Sequence, residues 1–361
     1  MIAPATVGNA GLRRFGCDCP LRGSAGSPRQ LVRAVNSAVA VSVKVSKGAV
    51  GVRRMMRPHG GRARTPSAAD SMASGEEVRV RAIRRRMDIA AVGVVGIAVG
   101  TGQAAGMLPY PMDAGAYFKQ APLDHLYQSQ WNATGYVYPP PMAQLLAPIH
   151  VLGWPLFIIL WTTLIWIAMG WMLGRWTWLA VGCGLVAAFA PSLSPLGVVL
   201  GYALNGNVQL LLAAGVVLAM RRPGWWALGA LTKLGTGIGV LYPLFRREWR
   251  AVAEAVALSA TIVAVSFVLA PRLWFDWVTF MVSSLGVVSP LPMVPVPFPV
   301  RLLMSVAILW FAARTERTWL VPIAAGWAIP ALYAWTFLAI WIAAVPLWRS
   351  DSHRMPASPS G

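Results

Sequence analysis

Along residues 88–348 the apolar positions come in unbroken runs, and short clusters of Arg, Gly and Pro separate them. There is no alternation of the kind a half-buried strand would show. Several runs approach the roughly twenty residues a helix needs to cross about 30 Å of hydrocarbon. They are apolar on every face, which suits a bilayer and not the surface of a soluble domain. The pattern predicts an all-α, polytopic membrane protein.

The basic clusters set the threading, because Lys and Arg are retained on the cytoplasmic side. Arg84-Arg85-Arg86 precede a first segment over 88–108, which puts the N-terminus inside and the loop 109–141 outside. A short interfacial helix over 142–152 then leads into a crossing that ends near Trp171. Further segments are expected over 176–193, 207–220, 251–270 and 300–313, and 319–348 reads as a tight hairpin turning near Pro330 to Trp335. Pro191 and Pro195 break the third segment near its outer end. The external stretch 271–299 carries Pro290, Pro292, Pro295, Pro297 and Pro299, which disfavour regular helix.

One segment resists this scheme. Residues 224–245 lie between Arg221-Arg222 and Arg246-Arg247-Glu248-Trp249-Arg250, so both ends belong inside. Two half-crossing helices meeting near Lys233 to Gly239, with Gly235, Gly237 and Gly239 making a close turn, resolve the conflict. Broken helices are tolerated at membrane depth where they line a cavity. A single full span that breaks the charge pattern is the other solution. The sum is about eight or nine crossings plus one re-entrant pair.

Composition agrees with the pattern: 57% of residues are apolar, 12% are charged, and eighteen are Trp, a residue that favours the membrane–water interface. The net charge of +19 is unevenly spread. Residues 1–86 hold seventeen Lys and Arg against Asp18, Asp70, Glu76 and Glu77, whereas 87–361 hold fourteen against eight acids. The chain thus divides into a basic leader (1–86) of disordered composition, a transmembrane domain (87–350) and a short cytoplasmic tail (351–361). The leader lacks the apolar core of a signal peptide and the interleaved aromatics of a nucleic-acid surface, so no nucleic-acid partner is expected. Met72 or Met87 would begin a membrane protein of more ordinary composition. Cys17 and Cys19 have no metal-ligand partners, and Cys183 sits in an apolar helix, so neither a disulfide nor a zinc site is expected.

Few polar residues remain on the outer side or at membrane depth. Asp113 leads them, a carboxylate at the interface between Tyr110 and Tyr117 and so a functional candidate by default. It suits a general base that takes a proton from an attacking hydroxyl; a helix cap or an ion pair with Lys119 is the structural alternative. Asp124 and His125 offer a second acid–base pair or a sugar clamp, or else an ordinary loop turn. Trp131, Tyr136 and Tyr138 can stack on sugar faces or anchor the interface. Asn207 and Gln209, at a helix start, can bind a hydroxyl-rich ligand or cap the helix. Lys233 is the one Lys inside an apolar segment and must meet an anion or snorkel; a lipid phosphate is a fitting partner. Arg272 and Arg301 flank the external proline stretch and are further phosphate candidates. Gly235-Thr236-Gly237-Ile238-Gly239 follows no strand and is not a dinucleotide fingerprint. No paired-carboxylate motif asks for a metal.

In order, these elements resemble glycosyltransferase family 87, membrane enzymes of the GT-C class. The likeness is carried by Asp113 with Tyr117 after the first helix and by Tyr136-Val137-Tyr138-Pro139-Pro140-Pro141 running into Gln144-Leu145-Leu146-Ala147-Pro148. Gly206-Asn207-Val208-Gln209 and the glycine-rich stretch from Gly229 through Lys233 to Arg246-Arg247-Glu248-Trp249-Arg250 complete it. It spans about 88–348. Two departures stand out: Lys233 is followed by Leu234-Gly235 where the family commonly has a Pro-containing pair, and the late external loop lacks the usual Asn-rich element.

The resemblance implies a GT-C-like fold in a bacterial plasma membrane, with the active site on the outer face. It implies inverting transfer of a hexose or pentose, mannose foremost, from a polyprenyl-phosphate sugar to a lipid-linked or glycolipid acceptor. Asp113 would be the base, and Lys233, Arg272 or Arg301 would neutralise the departing phosphate. The polyprenyl-phosphate sugar is a co-substrate, and no other cofactor and no divalent metal is expected. The bilayer, the donor and the acceptor are the partners implied; the sequence does not address oligomeric state. A transporter or flippase for a lipid-linked solute, with Lys233 as its anion site, and an inactive envelope scaffold are the rival readings.

Overall fold

In the computed structural model the described residues are 68–119, 123, 126–127, 136–189, 194–283, 294–330 and 335–352. All belong to one unit, Pro66–Gly361, and among them there is helix and no strand. Most of the basic leader, with Cys17 and Cys19, lies outside the described residues, as do Asp124, His125 and Trp131.

The first helix, α1 (Ala68–Ala104), begins nineteen positions before Met87, so it takes in residues 68–86, the last part of the stretch expected to be a disordered leader. The cause is local: Glu76, Glu77 and a run of Arg between Val and Ala are good helix formers that extend the apolar helix backwards. A short helix, α2 (Met112–Lys119), follows. Next come α3 (Pro140–Leu146) and a 3₁₀ turn over Ala147–Leu152, then the long α4 (Gly153–Leu173). The separate helical stretch expected before the second crossing is therefore present, and Gly153 at φ 70° turns the chain into α4.

α1 and α4 pack along most of their lengths because glycine lets them. A Cβ on Gly100 would stand 2.7 Å from the Ile159 Cα, and one on Gly96 would stand 2.9 Å from the Trp166 Cβ. The spacing Gly96-x-x-x-Gly100 is the small-residue stripe by which membrane helices approach closely.

Beyond α4 the apolar runs are chopped short. α5 (Trp176–Phe189) is fourteen residues long. α6 (Ser194–Asn205), a helix the sequence pattern missed, meets α7 (Gln209–Ala219) at a bend of 105°. α8 (Trp226–Thr232) stops at Lys233, whose backbone is extended; a 3₁₀ stretch over Leu234–Val240 and α9 (Leu241–Phe245) follow. The expected break in 224–245 thus falls at Lys233. There Thr236 donates to the carbonyls of Gly229 and Lys233 and holds the two halves against each other.

α10 (Trp249–Leu269) is a full-length apolar helix. α11 (Pro271–Ser283) is amphipathic and occupies the first part of the stretch expected to be irregular; Pro271 sits at the helix start, where it is tolerated, and the denser prolines come later. α12 (Phe298–Thr315), α13 (Val321–Trp327), α14 (Leu338–Trp341) and α15 (Ala344–Ser352) complete the chain. The turn expected between 330 and 335 includes 331–334, outside the described residues. At one end of the bundle Arg246 pairs with Glu248 at 2.6 Å and with Glu316 at 3.2 Å, tying α9 to the end of α12.

Four stretches among the described residues are long and apolar enough to cross a membrane: Ala82–Ala104, Pro140–Leu173, Trp249–Leu269 and Phe298–Thr315. The bent α6–α7 pair makes up to five. That is fewer than the eight or nine expected. The reason is breakage: runs that read as continuous by hydropathy are cut at Gly206, Lys233 and the prolines into helices of four to fourteen residues.

Candidate functional site

The bend between α6 and α7 organises the site. Gly206 adopts φ 72°, a left-handed conformation open to glycine, and Ala114 of α2 leaves no room for a Cβ there. Three helices brace this corner. Gln103 of α1 donates to the Leu204 carbonyl at 2.6 Å and accepts from Thr162 of α4 at 3.0 Å. Trp161 of α4 donates its indole N–H to the Gly206 carbonyl at 2.7 Å. Tyr117 of α2 accepts the Val208 backbone N–H at 3.3 Å, and its hydroxyl lies 3.0 Å from that of Tyr138.

Asp113 sits in the first turn of α2, where a carboxylate complements the helix dipole. Its Oδ2 accepts from the side-chain amides of Asn205 and of Asn207, the latter at 2.8 Å. The ion pair expected as an alternative is not what Lys119 makes: its ammonium lies over the Tyr110 ring, 5.4 Å from the centroid. Burial pushes the Asp113 carboxyl above its ordinary range; Asn207, the Lys233 charge and Asn205 pull it partly back.

Asp113 opens onto a cavity of about 870 Å³, within the span of ligand-binding pockets. One end is polar, formed by Asp113, Asn205, Asn207, Gln209, Thr232 and Lys233. The other runs between α5 and α6 past apolar residues such as Leu185, Ala188 and Val198. Lys233 enters at the break between α8 and the 3₁₀ stretch. With its amide oriented to satisfy its neighbours, Gln209 accepts from Lys233 Nζ at 2.9 Å and donates to the Thr336 carbonyl at 2.6 Å. The Lys233 ammonium also lies 5.8 Å from the centre of the Tyr138 ring.

Of the residues singled out by sequence, Asp113, Tyr117, Tyr136, Tyr138, Asn207, Gln209 and Lys233 line this one cavity. The tyrosines play a different part from the one expected. Tyr136 is 1% exposed and packs edge-on against Tyr138, so its ring offers no free face for a sugar; its buried hydroxyl has no hydrogen-bond partner among the described residues. Tyr127 donates to the Tyr138 carbonyl at 2.7 Å and fixes the strand of chain that presents both rings.

Two candidates fall away from the site. Arg301 is not among the lining residues. It is 3% exposed, and its guanidinium donates to the carbonyls of Val296, Trp327, Ile329 and Pro330. It ties the start of α12 to the end of α13 and has its charge spoken for by backbone oxygens. Arg272 is exposed on α11, away from the cavity. Asp124 and His125 lie outside the described residues.

Asn205 is the residue the sequence argument missed. Its signal was present in Asn205-Gly206-Asn207: two amides on either side of a glycine that turns the chain back on itself. Chemically, the polar end pairs a carboxylate that can accept a proton with an ammonium that can meet an anion, beside a long apolar wall.

Broken helices, membrane-length segments and a cavity that joins a carboxylate to an ammonium define a helical membrane protein with one candidate site among the described residues. The family model for glycosyltransferase family 87 matches residues 136–357, more than half of the chain, and the chain belongs to that family. No curated protein and no solved structure matches it. The match begins at Tyr136, so Asp113 and Tyr117 lie upstream of it; their place in the site rests on the geometry.

Proposed function

We propose that this glycosyltransferase moves a sugar, mannose foremost, from a polyprenyl-phosphate donor to a lipid-linked or glycolipid acceptor, with inversion at the anomeric carbon. The observation that carries the reading is the joining of Asp113 and Lys233 in one cavity whose remaining wall is apolar. An amphipathic donor with an anionic group at the sugar linkage suits such a wall and such a cation.

In this mechanism the acceptor hydroxyl gives its proton to Asp113 as its oxygen attacks the anomeric carbon. The bond from that carbon to the phosphate oxygen breaks on the opposite side, and the electron pair leaves with the lipid phosphate. Lys233, already placed, meets the charge that develops there, as preorganised cations do. Gln209 holds the ammonium and Tyr138 covers it. The Arg84–Arg86 cluster precedes the apolar part of α1, which spans about 27 Å at 1.5 Å per residue, and Asp113 follows in α2 beyond its other end. This supports a cytoplasmic N-terminus and a site near the outer face of the plasma membrane.

The test uses purified protein in lipid vesicles with native lipid extract and radiolabelled polyprenyl-phosphate mannose, arabinose or glucose, one at a time. Label entering a glycolipid with the anomeric configuration opposite to that of the donor supports the proposal. Transfer with retention overturns the mechanism, and no transfer with any donor from folded protein overturns the function.

A further inference from the structure

The amides around Asp113 are locked in direction, and this assigns a role to each oxygen of the carboxylate. Asn207 accepts the backbone N–H of Gln209 on its Oδ1 at 2.9 Å. Its Nδ2 is therefore the atom that faces Asp113, and it can only donate. Asn205 is locked the same way: its Oδ1 faces the Asp113 backbone N–H at 3.4 Å, and its Nδ2 donates to the carboxylate. Both donors converge on Oδ2. A protonated Oδ2 would set its hydrogen against two N–H groups, and turning either amide round would set its NH2 against the backbone N–H that its oxygen now accepts.

We infer that Asn205 and Asn207 form a positioning clamp that keeps Asp113 Oδ2 as an acceptor and makes Oδ1 the atom that takes the acceptor's proton. The proposal rests on the transferase reading above for its chemistry and on the hydrogen-bond geometry for its direction. It changes the part expected of Asn207, from binding the substrate to aiming the base. It also gives the α6–α7 bend a purpose. A straight helix would put residues 205 and 207 on different faces, roughly 200° apart at 100° per residue, whereas the left-handed Gly206 brings both amides to one carboxylate.

The titratable groups that face the Asp113 carboxyl are Lys233, from the break after α8, and Tyr117, from its own helix. Neither supplies what the clamp supplies, which is two fixed donors on one oxygen. Removing a donor weakens the ionised form and frees the carboxylate to rotate. Proton affinity then rises by about tenfold, one pKa unit, and kcat falls about 10- to 100-fold with little change in KM, because aim is lost while substrate contacts remain.

The experiment compares wild type with Asn205→Ala, Asn207→Ala and Asn207→Ser. Serine can still cap α7 but is too short to serve Asp113 as the amide does. Two readouts are taken on protein shown to be folded by its elution profile. The first is the infrared carboxyl band of Asp113 as a function of pH, assigned by its loss in Asp113→Asn; it needs no substrate. The second is kcat and KM across pH in the transfer assay. The clamp predicts that all three variants titrate at higher pH than wild type, that the acid limb of their activity moves up with the band, and that Asn207→Ser does not rescue. An unshifted band in Asn205→Ala, or a Ser variant that behaves as wild type, overturns it; the second result would make Asn207 a cap and no more. A shifted band in protein that transfers no sugar would uphold the clamp and refute the transferase reading.

Discussion

Lys233 and Arg301 are both cations placed within the helical bundle, yet the structure uses them in opposite ways. Arg301 is buried and spends its guanidinium on four backbone carbonyls, one just before α12 and three at the end of α13. Lys233 is half-buried at the cavity, hydrogen-bonded to the Gln209 side-chain amide, beside the face of Tyr138 and within reach of the Asp113 charge. A planar five-donor fork suits the first task, and a compact charge on a flexible stem suits the second. The lesson is that a buried charge is a candidate for ligand binding to the extent that its donors are left unspent, whatever its depth.

That contrast can be broken experimentally. The largest effect is expected at Arg301. Arg301→Leu leaves four carbonyls without their donor, at about 1–3 kcal/mol for each that stays unsatisfied, so the variant should fail to accumulate as folded protein or lose many degrees in Tm. A variant of normal stability and no activity would instead return Arg301 to the site. Next comes Lys233→Gln, expected to keep its Tm within a few degrees and to lose about 10²–10³ in kcat. An unchanged kcat would remove the cation from the mechanism.

A smaller effect concerns pH. Asp113 must be ionised to act as a base, and its carboxyl is held above the ordinary range by burial. The acid limb of kcat/KM is therefore expected above the unperturbed carboxylate value of about 3.9, with activity falling as pH drops through it. A limb at or below that value would contradict the buried base. The smallest effect belongs to Arg272→Gln, which touches an exposed residue outside the cavity lining and should shift Tm by no more than about two degrees and kcat by no more than about twofold.

Much of this was legible in the chain, and what was not has physical causes. Hydropathy identified α4 and α10 because both carry long apolar runs. The conflict of basic flanks around 224–245 located the break at Lys233, since a charge pattern can be read without knowing what packs where. The crossing number was overestimated because hydropathy averages over Gly206 and the prolines that cut the runs. Arg301 was misplaced because sequence shows a charge and not the carbonyls around it; those come from residues 296 and 327–330, the latter nearly thirty positions away. Tyr136 and Tyr138 both line the cavity, but their mutual packing, which hides the Tyr136 ring, is a tertiary fact. Asn205 was missed although Asn-Gly-Asn was in view, because convergence on one carboxylate depends on the hand of the turn at Gly206.

The account stands on Asp113 as the base of a sugar transfer, and the most direct measurement compares Asp113→Asn with wild type in the radiolabel assay, at equal amounts of folded protein. The amide keeps the size of the carboxylate and cannot accept the proton. A loss of about 10²–10⁴ in transfer is predicted, the usual worth of a general base. Equal transfer by the two proteins would contradict the account.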